Sequence, residues 1–230
     1  MKTNIIEISD LEKTYVTKGE SLTVLKNLCL EIEEGTKNAI VGQSGNGKST
    51  LLNIISGIES FDNGSVKAGP YTLGKMSEKE LCEYRSSFIG LVFQFHYLLK
   101  DFTALENIFL PAYMAGKNKK QAMEKAERLL NDVGLYERKN HLPSELSGGE
   151  RQRIAVARSM INDPQLILAD EPTGNLDPEN ACIISDLLFS VSDKYNKTLL
   201  VVTHDVDVAK KAKNIFKLQN KQIVLAGDLY

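Results

Sequence analysis

The chain has 230 residues, of which 42% are hydrophobic and 25% are charged, and this balance excludes wholesale disorder. Its net charge of −2 argues against a dedicated nucleic-acid-binding protein, which usually carries a basic surplus. No apolar run approaches the roughly 18 residues of a membrane span, and Glu7 and Asp10 interrupt the apolar N-terminus, so we expect no span and no signal peptide. The scattered cysteines Cys29, Cys82 and Cys182 lack metal-ligand spacing and indicate a reducing compartment.

The first patterned region predicts a strand, a glycine-rich loop and a helix. Apolar and polar residues alternate over 28–33, which is typical of a half-buried strand, and a short apolar strand follows at 38–41. The segment 42–50 is rich in glycine and is followed by apolar residues at helical spacing. A turn predicted at 62–64 closes this region.

The middle of the chain is predicted to be mostly helical over about 95–160, after an apolar strand at 88–93. An amphipathic helix is predicted over 118–133, with Gly134 as its C-cap. Two capping boxes, in which a hydroxyl residue precedes a glutamate by three positions, predict helix starts at Ser77 with Glu80 and at Thr103 with Glu106.

Strand signals return in the last third of the chain, at 166–169 and 199–202. Between them, Asp177 is predicted to cap a helix that has Pro178 at its first position. Two short strands flanking Asn220 and Lys221 predict a hairpin. Continuous apolar strands that alternate with helices predict an α/β fold with a mostly parallel sheet.

The glycine-rich segment matches the phosphate-binding pattern G-x-x-x-x-G-K-[ST]. In this pattern the backbone N–H groups wrap a triphosphate, Lys48 reaches the β- and γ-phosphates, and Ser49 binds Mg²⁺. A chance glycine turn would lack the preceding strand and the following helix. The predicted nucleotide-binding residues of this loop are Gly42, Gln43, Ser44, Gly45, Asn46, Gly47, Lys48, Ser49 and Thr50.

The apolar strand at 166–169 ends in two acids, Asp170 and Glu171. Asp170 is predicted to hold Mg²⁺, directly or through water, and Glu171 to orient and polarise the attacking water. A strand that ends in a solvated acidic turn is the alternative. The presence of the phosphate-binding loop in the same chain favours the functional interpretation.

A family resemblance rests on the segment Leu146–Arg153, whose sequence is LSGGERQR. It resembles the signature motif of the ATP-binding-cassette (ABC) ATPases. The resemblance implies one domain over 1–230, with a P-loop NTPase core of mostly parallel strands, an N-terminal antiparallel β part and an inserted helical subdomain at about 95–160. It also implies ATP and Mg²⁺ as cofactors and a head-to-tail homodimer. In that dimer Ser147, Gly148 and Gly149 would face the γ-phosphate that the other subunit binds.

The same resemblance assigns roles to single residues elsewhere. Tyr15 looks like the aromatic residue that stacks on adenine, although a structural tyrosine at a strand edge is a serious alternative. Gln94 resembles the Q-loop glutamine that touches Mg²⁺ and the attacking water. Asp177 resembles the D-loop aspartate that contacts the partner subunit, and His204 resembles the histidine that contacts the γ-phosphate. The implied catalytic set is therefore Lys48, Gln94, Glu171 and His204, and the implied metal ligands are Ser49, Gln94 and Asp170.

Three segments, 93–108, 143–153 and 168–177, resemble the ATPase of the bacterial lipoprotein-releasing (Lol) system. Glu150, where many ABC signatures have glutamine, also occurs in the lipoprotein-releasing and macrolide-efflux branch, whereas Lys100 departs from a proline common in the Lol ATPase. The resemblance implies a peripheral subunit at the cytoplasmic face of the inner membrane. It would be bound there by four-span permease subunits that contact the Q-loop region.

The residues that would receive the permease are aromatic. Phe95, Tyr97 and Phe102 are candidates for this contact, and packing inside the helical region is the equally weighted alternative. Two other functions stay open: the ATPase of a macrolide-exporter or cell-division complex, and a soluble ABC protein of DNA repair or translation. The soluble class usually has a long coiled coil or two cassettes, which this sequence lacks, so we expect no nucleic-acid partner.

Overall fold

The computed structural model describes residues 3–17 and 19–226. Among these residues, no helix combines the length and the apolar character that crossing a bilayer requires. The strands are β1 (Asn4–Thr17), β2 (Glu20–Glu33), β3 (Lys37–Val41), β4 (Asn63–Ala68), β5 (Tyr71–Leu73), β6 (Ile89–Val92), β7 (Leu166–Asp170), β8 (Thr198–Thr203), β9 (Asn214–Gln219) and β10 (Gln222–Leu225). The helices are α1 (Lys48–Ile55), α2 (Glu78–Ser87), α3 (Ala104–Met114), α4 (Lys119–Asp132), α5 (Gly148–Ser159), α6 (Pro178–Lys194) and α7 (Val206–Lys210).

The chain forms two compact units. The first comprises the chain up to Arg85 together with the chain from Thr198 onward, and the second comprises Ser86–Lys197. The glycine-rich loop and His204 therefore belong to the first unit. The signature segment and the pair Asp170–Glu171 belong to the second.

The first unit contains two groups of paired strands. An antiparallel sheet has the order β2-β1-β4-β5, which confirms the antiparallel part that the family resemblance implies. In the other group, β3 pairs in parallel with both β8 and β9, and β9 pairs antiparallel with β10. All of β8 and the centre of β3 are buried, as predicted for apolar strands covered on both faces. The register pairs Val41 with Thr203, so β3 and β8 end at the same edge.

Helix α1 is held in the first unit by its apolar face and by a buried tyrosine. Leu51, Leu52, Ile54 and Ile55 are buried. The hydroxyl of Tyr84 on α2 donates to the carbonyl oxygen of Ile55 at 2.6 Å. This bond satisfies one of the carbonyl groups that the end of a helix leaves without a helical partner. The buried apolar face and the bond from Tyr84 together fix the position of α1, and with it the end of the glycine-rich loop.

The predicted turn at 62–64 is wrong, whereas the predicted C-terminal hairpin is confirmed. Asn63 and Gly64 are the first residues of β4, which pairs with β1. Gly64 has a φ of +97°, and a Cβ there would lie 2.5 Å from the carbonyl oxygen of Asp10, so the glycine permits two strands to approach closely. In the hairpin, Asn220 and Lys221 both have positive φ, as a two-residue turn between β9 and β10 requires.

In the second unit β6 pairs in parallel with β7, α3 packs against α4 and α5, and α5 also packs against α6. The predicted capping box at α3 is confirmed, because Thr103 Oγ1 accepts from the Glu106 N–H at 3.3 Å and the Glu106 carboxylate accepts from the Thr103 N–H at 2.8 Å. Helix α4 begins after Asn118, whose side chain caps it, and lies within the predicted helix 118–133. Buried residues on one face of α4 include Ala126, Leu129 and Leu130.

Candidate functional site

The glycine-rich loop joins β3 to α1 and has a backbone that depends on its glycines. Gly45 and Gly47 have φ of +81° and +92°, values that L-residues with side chains rarely adopt. A Cβ on Gly42 would lie 2.7 Å from the carbonyl oxygen of Leu218, so no side chain fits there. A Cβ on Gly45 would meet nothing within 4 Å, which leaves this side of the loop open for a ligand.

Lys48 carries a buried positive charge at the first residue of α1. Its ammonium donates to the carbonyl oxygens of Gly42 at 2.8 Å and Gln43 at 3.0 Å. Both acceptors are uncharged, so the ammonium keeps its net charge for an anionic ligand. The N–H groups in the first turn of a helix also favour an anion, so the start of α1 adds to the preference of Lys48 for an anionic ligand. The loop, its lysine and this helix end therefore fit a polyphosphate.

Two further predicted residues lie in the first unit. The hydroxyl groups of Tyr15 and Thr50 lie 3.1 Å apart, which brings the predicted adenine-stacking residue to the helix that follows the loop. Burial raises the pKa of Tyr15, and its ring remains partly exposed. His204 directly follows β8, and Asp205 next to it caps α7 through the N–H groups of residues 207 and 208. Because β3 and β8 are parallel neighbours in register, the loop and His204 leave the sheet at the same edge.

In the second unit, β7 ends at Asp170, as predicted. Glu171 follows with a φ of +44°, in the left-handed region that residues other than glycine rarely occupy. Such a conformation costs free energy and tends to occur at functional positions, where the surrounding structure maintains it. The backbone thus marks Glu171 as unusual independently of its sequence motif.

The Q-loop residue Gln94 is hydrogen-bonded within the second unit to the segment 174–177, which resembles the D-loop. Gln94 Nε2 donates to Asn175 Oδ1 at 3.2 Å, and Asn175 Nδ2 donates to the carbonyl oxygen of Gln94 at 3.3 Å. A Cβ on Gly174 would lie 2.9 Å from Gln94 Nε2, so a side chain there would displace the Gln94 amide. The Gln94 amide nitrogen is bound to Asn175. The amide oxygen is the kind of donor that Mg²⁺ prefers.

The signature segment forms the start of α5. The sequence predicts a helix from Arg151 to Met160 that the two glycines precede. In the structure α5 begins at Gly148, so Gly148 and Gly149 are its first residues. Ser147 is the N-cap: its hydroxyl accepts from the Glu150 N–H at 3.2 Å, and Glu150 Oε2 accepts from the Ser147 N–H at 2.8 Å. A serine hydroxyl and two glycines at a helix N-terminus suit an anionic group.

The signature segment also contacts Asn180 on α6, the residue whose N–H binds Asp177. A Cβ on Gly149 would lie 2.5 Å from Asn180 Oδ1, so a side chain at this position would displace the Asn180 side chain. Asp177 caps α6, as predicted, because its carboxylate accepts from the Asn180 N–H at 3.0 Å and from Asn180 Nδ2 at 2.7 Å. The backbone N–H of Asn180 lowers the pKa of Asp177. The second unit therefore brings together the Q-loop, the signature segment and the D-loop.

The predicted metal ligands have suitable chemistry. Ser49, Gln94 and Asp170 each offer an oxygen, and Mg²⁺ is usually held by one or two protein groups together with nucleotide phosphates and water. Across residues 3–17 and 19–226 there is no group of three or more His, Cys, Asp or Glu side chains that could hold a metal ion. Each of these groups, taken by itself, is of the kind that can bind Mg²⁺.

Gln152 supports the site through hydrogen bonds, and the sequence did not predict this role. It is buried on α5, and its Nε2 donates to the carbonyl oxygens of Phe93 at 3.0 Å and Pro172 at 2.8 Å. Phe93 precedes Gln94 and Pro172 follows Glu171. The Gln152 side chain therefore binds the backbone beside both Gln94 and Glu171. Its position in the helix carries no local signal of these bonds, because both partners are distant in the sequence.

We expect Gln152→Met to lower the free energy of unfolding by about 1–3 kcal/mol, because the buried carbonyl group of Pro172 loses its donor and the partly buried carbonyl group of Phe93 loses the same donor. ATP turnover should fall as well, since the backbone next to Gln94 and Glu171 loses its support. Urea denaturation and steady-state hydrolysis measure the two effects. The matched control is Gln121→Met on the exposed side of α4, where we expect a change below about 0.5 kcal/mol. Equal effects of the two substitutions would contradict the role of Gln152.

Comparisons with known proteins agree with this arrangement of motifs. A family model described as "ABC transporter" matches residues 25–174. The lipoprotein-releasing system ATP-binding protein LolD of Treponema denticola is 60% identical, over 95% of this chain and 96% of the relative. The protein of the same name from Treponema pallidum is 48% identical, over 97% of this chain and 99% of the relative.

Solved structures agree as well. A dimeric ATP-binding cassette in a post-hydrolysis state, bound to ADP and Pi, is similar with a TM-score of 0.86 at 36% identity, covering 95% of this chain and 96% of that one. A subunit of the ABC transporter complex cbiONQ from Clostridium perfringens has a TM-score of 0.86 at 25% identity, covering 98% and 88%. The predicted α/β fold of ABC type is confirmed, and the chain belongs to the ABC transporter family.

Proposed function

We propose that the chain is the ATP-binding and ATP-hydrolysing subunit of an ABC transporter that releases lipoproteins from the inner membrane. The observation that carries this proposal is the near-full-length identity of 60% to a protein named as the ATP-binding protein of a lipoprotein-releasing system. The phosphate-binding loop and the signature segment supply the residues that such a subunit needs. No observation favours the macrolide-exporter, cell-division or soluble alternatives.

The first unit binds the triphosphate of ATP. The N–H groups of the glycine-rich loop and of the first turn of α1 donate to phosphate oxygens, and Lys48 turns its ammonium to the β- and γ-phosphates. Tyr15 stacks on the adenine. Ser49, Gln94 and Asp170 hold Mg²⁺, which when bound neutralises charge on the phosphates.

Hydrolysis then requires a positioned water. Glu171 accepts a hydrogen bond from this water and draws its proton away as the oxygen attacks the γ-phosphorus. The bond between the γ-phosphorus and the bridging oxygen breaks, and ADP and phosphate result. Gln94 orients the water, and His204 donates to the γ-phosphate. The resemblance to ABC ATPases assigns these groups to one ATP.

The functional form is a homodimer. Ser147, Gly148 and Gly149 contact the γ-phosphate of the ATP that the other subunit binds, and Asp177 contacts the other subunit. This proposal is supported by the N-terminal position of these residues on α5, where a helix favours an anion. It is also supported by the dimeric state of the similar cassette bound to ADP and Pi.

An apolar surface in the second unit is suited to a membrane partner. It consists of Phe95, Tyr97, Leu99 and Phe102, and we call it the Q-loop surface. Phe95 is 59% exposed and Tyr97 64% exposed, so these rings do not pack inside the helical region. Exposed aromatic side chains in a cluster mark interaction sites more often than solvated surface. Four-span permease subunits would bind here and hold the chain at the cytoplasmic face of the inner membrane.

Two polar side chains fix the shape of the Q-loop surface. Arg158 donates to the carbonyl oxygens of His96 and Tyr97, both at 2.7 Å. Asn107 is buried and binds the backbone of Leu99 in both directions, accepting from its N–H at 2.7 Å and donating to its carbonyl oxygen at 3.1 Å. The surface is therefore preorganised, which lowers the entropic cost of binding.

We expect the double substitution Phe95→Glu and Tyr97→Glu to remove the chain from its permease complex, because each change places a charge in an apolar contact. Co-purification of the permease with the tagged chain measures this. Tyr113→Glu is the matched control, since Tyr113 is 51% exposed on α3 outside this surface. Permease recovery with the double variant equal to that of the parent would contradict the proposed contact, whereas loss with Tyr113→Glu alone would place the contact elsewhere.

A further inference from the structure

We propose that Arg138 is a positioning residue for the signature segment, acting through Glu150. Its guanidinium neutralises and anchors a carboxylate that lies beside Ser147, Gly148 and Gly149. The inference rests on the proposed function, because it assumes that this segment contacts the phosphates of the ATP bound to the other subunit.

The carboxylate of Glu150 has two partners, one for each oxygen. Its Oε2 accepts from the Ser147 N–H at 2.8 Å, within the capping box of α5. Its Oε1 accepts from Arg138 Nε at 3.1 Å. The Glu150 side chain is 18% exposed and that of Arg138 50% exposed. The bond from Ser147 and the guanidinium of Arg138 contribute to a lowered pKa of Glu150, so the group is ionised.

The ionised carboxylate of Glu150 disfavours an anionic ligand at the signature segment, and the charge of Arg138 offsets this effect. A negative charge in the first turn of α5 lies close to a segment proposed to receive a polyphosphate, and like charges at such a distance repel one another. Glutamine, which many ABC signatures have at this position, would not carry this charge. The positive charge of Arg138 offsets it. Another nearby cation, Arg153, donates instead to the carbonyl oxygen of Val133 at 3.4 Å.

Arg138 is held in place by its own segment. It ends a short 3₁₀ turn at Tyr136–Arg138, and its Nη1 lies 3.4 Å from Nε2 of His141. The carbonyl oxygen of His141 accepts from the Ala104 N–H at 2.9 Å. The segment 138–141 is thereby fixed to the first turn of α3, independently of Glu150. Arg138 can therefore orient Glu150 and does not simply follow it.

The expected result concerns the dimer and not the binding of ATP to one subunit. In the full chain, Arg138→Ala should lower kcat, and raise the ATP concentration needed for dimer formation, by roughly fivefold each, the upper range for a partly exposed ion pair. The affinity of the monomer for a fluorescent ATP analogue at low protein concentration should stay within about twofold of the parent. Dimer formation is measured by light scattering in a Glu171→Gln background, where turnover does not consume the ATP.

A double-mutant cycle separates this role from a merely structural one. With Glu150→Gln already present there is no charge to offset, so adding Arg138→Ala should change dimer formation by less than about twofold. Arg138→Lys, which keeps the charge, should restore at least half of the loss. Equal losses from Arg138→Ala with and without the Glu150→Gln substitution would overturn the inference. So would a loss of monomer affinity that matches the loss of dimer formation.

The same measurements distinguish this inference from the proposed function. A parent chain that dimerises with ATP and hydrolyses it, but shows no coupling between Arg138 and Glu150, overturns the inference alone. A parent chain that neither dimerises with ATP nor hydrolyses it overturns both.

Discussion

Glu171→Gln should abolish ATP turnover and leave ATP binding intact. We expect kcat to fall by roughly 10²–10⁴-fold, the range that a positioned general base contributes. Glutamine has nearly the same shape as glutamate, so the left-handed backbone at this position, with a φ of +44°, should persist. Phosphate release measures turnover, and titration with a fluorescent ATP analogue measures binding.

The same variant should accumulate as an ATP-bound dimer, because closure does not need the base whereas reopening follows hydrolysis. Size-exclusion chromatography with ATP and Mg²⁺ detects this dimer. The matched control is Glu124→Gln on the exposed side of α4, which should hydrolyse ATP at the parental rate. Hydrolysis by Glu171→Gln within about threefold of the parent would refute its assignment as the group that activates water.

Lys48→Ala should lower the affinity for ATP by roughly 10–100-fold, because a hydrogen bond to a charged group is worth about 1.5–3 kcal/mol. A second cause acts in the same direction. The ammonium also binds the carbonyl oxygens of Gly42 and Gln43, so its loss releases the loop from the shape that wraps phosphate. Isothermal titration with ATP and Mg²⁺ measures the affinity, and circular dichroism checks the fold.

The control for Lys48→Ala is Lys67→Ala in the antiparallel sheet of the same unit. Lys67 forms an exposed ion pair with Glu7 at 3.7 Å, and such pairs contribute little to stability. ATP affinity should be unchanged in this control. An unchanged affinity in Lys48→Ala as well would count against the phosphate-binding loop itself.

Features encoded by neighbouring residues were predictable from the sequence. The capping boxes predicted at Ser77 and Thr103 are confirmed, because each needs only a hydroxyl residue and a glutamate three positions later. The glycine-rich loop likewise needs only its own glycines and Lys48. The hairpin at Asn220 was predictable for the same reason, since its turn is two residues long.

Features that depend on distant residues were not predictable. The residue pattern alone does not predict β1, because Asp10, with a φ of +50°, interrupts its alternation, and only the family resemblance implies antiparallel strands there. The turn predicted at 62–64 is wrong because Gly64 permits the close approach of β4 to β1. The bonds of Gln152 to two separate loops leave no trace in the helix pattern. Exposure of Phe95 also could not be derived, because an aromatic residue in a loop is equally suited to a core and to an interface.

The most direct test of the proposed function is ATP-driven release of a lipoprotein. The chain, in complex with its permease, is reconstituted in vesicles that contain a lipoprotein, and a soluble lipoprotein-binding carrier is added outside. We predict that lipoprotein appears on the carrier only with ATP and Mg²⁺, and that the Glu171→Gln complex releases none beyond the level without ATP. ATP hydrolysis by the parent complex without any transfer of lipoprotein would contradict the proposal.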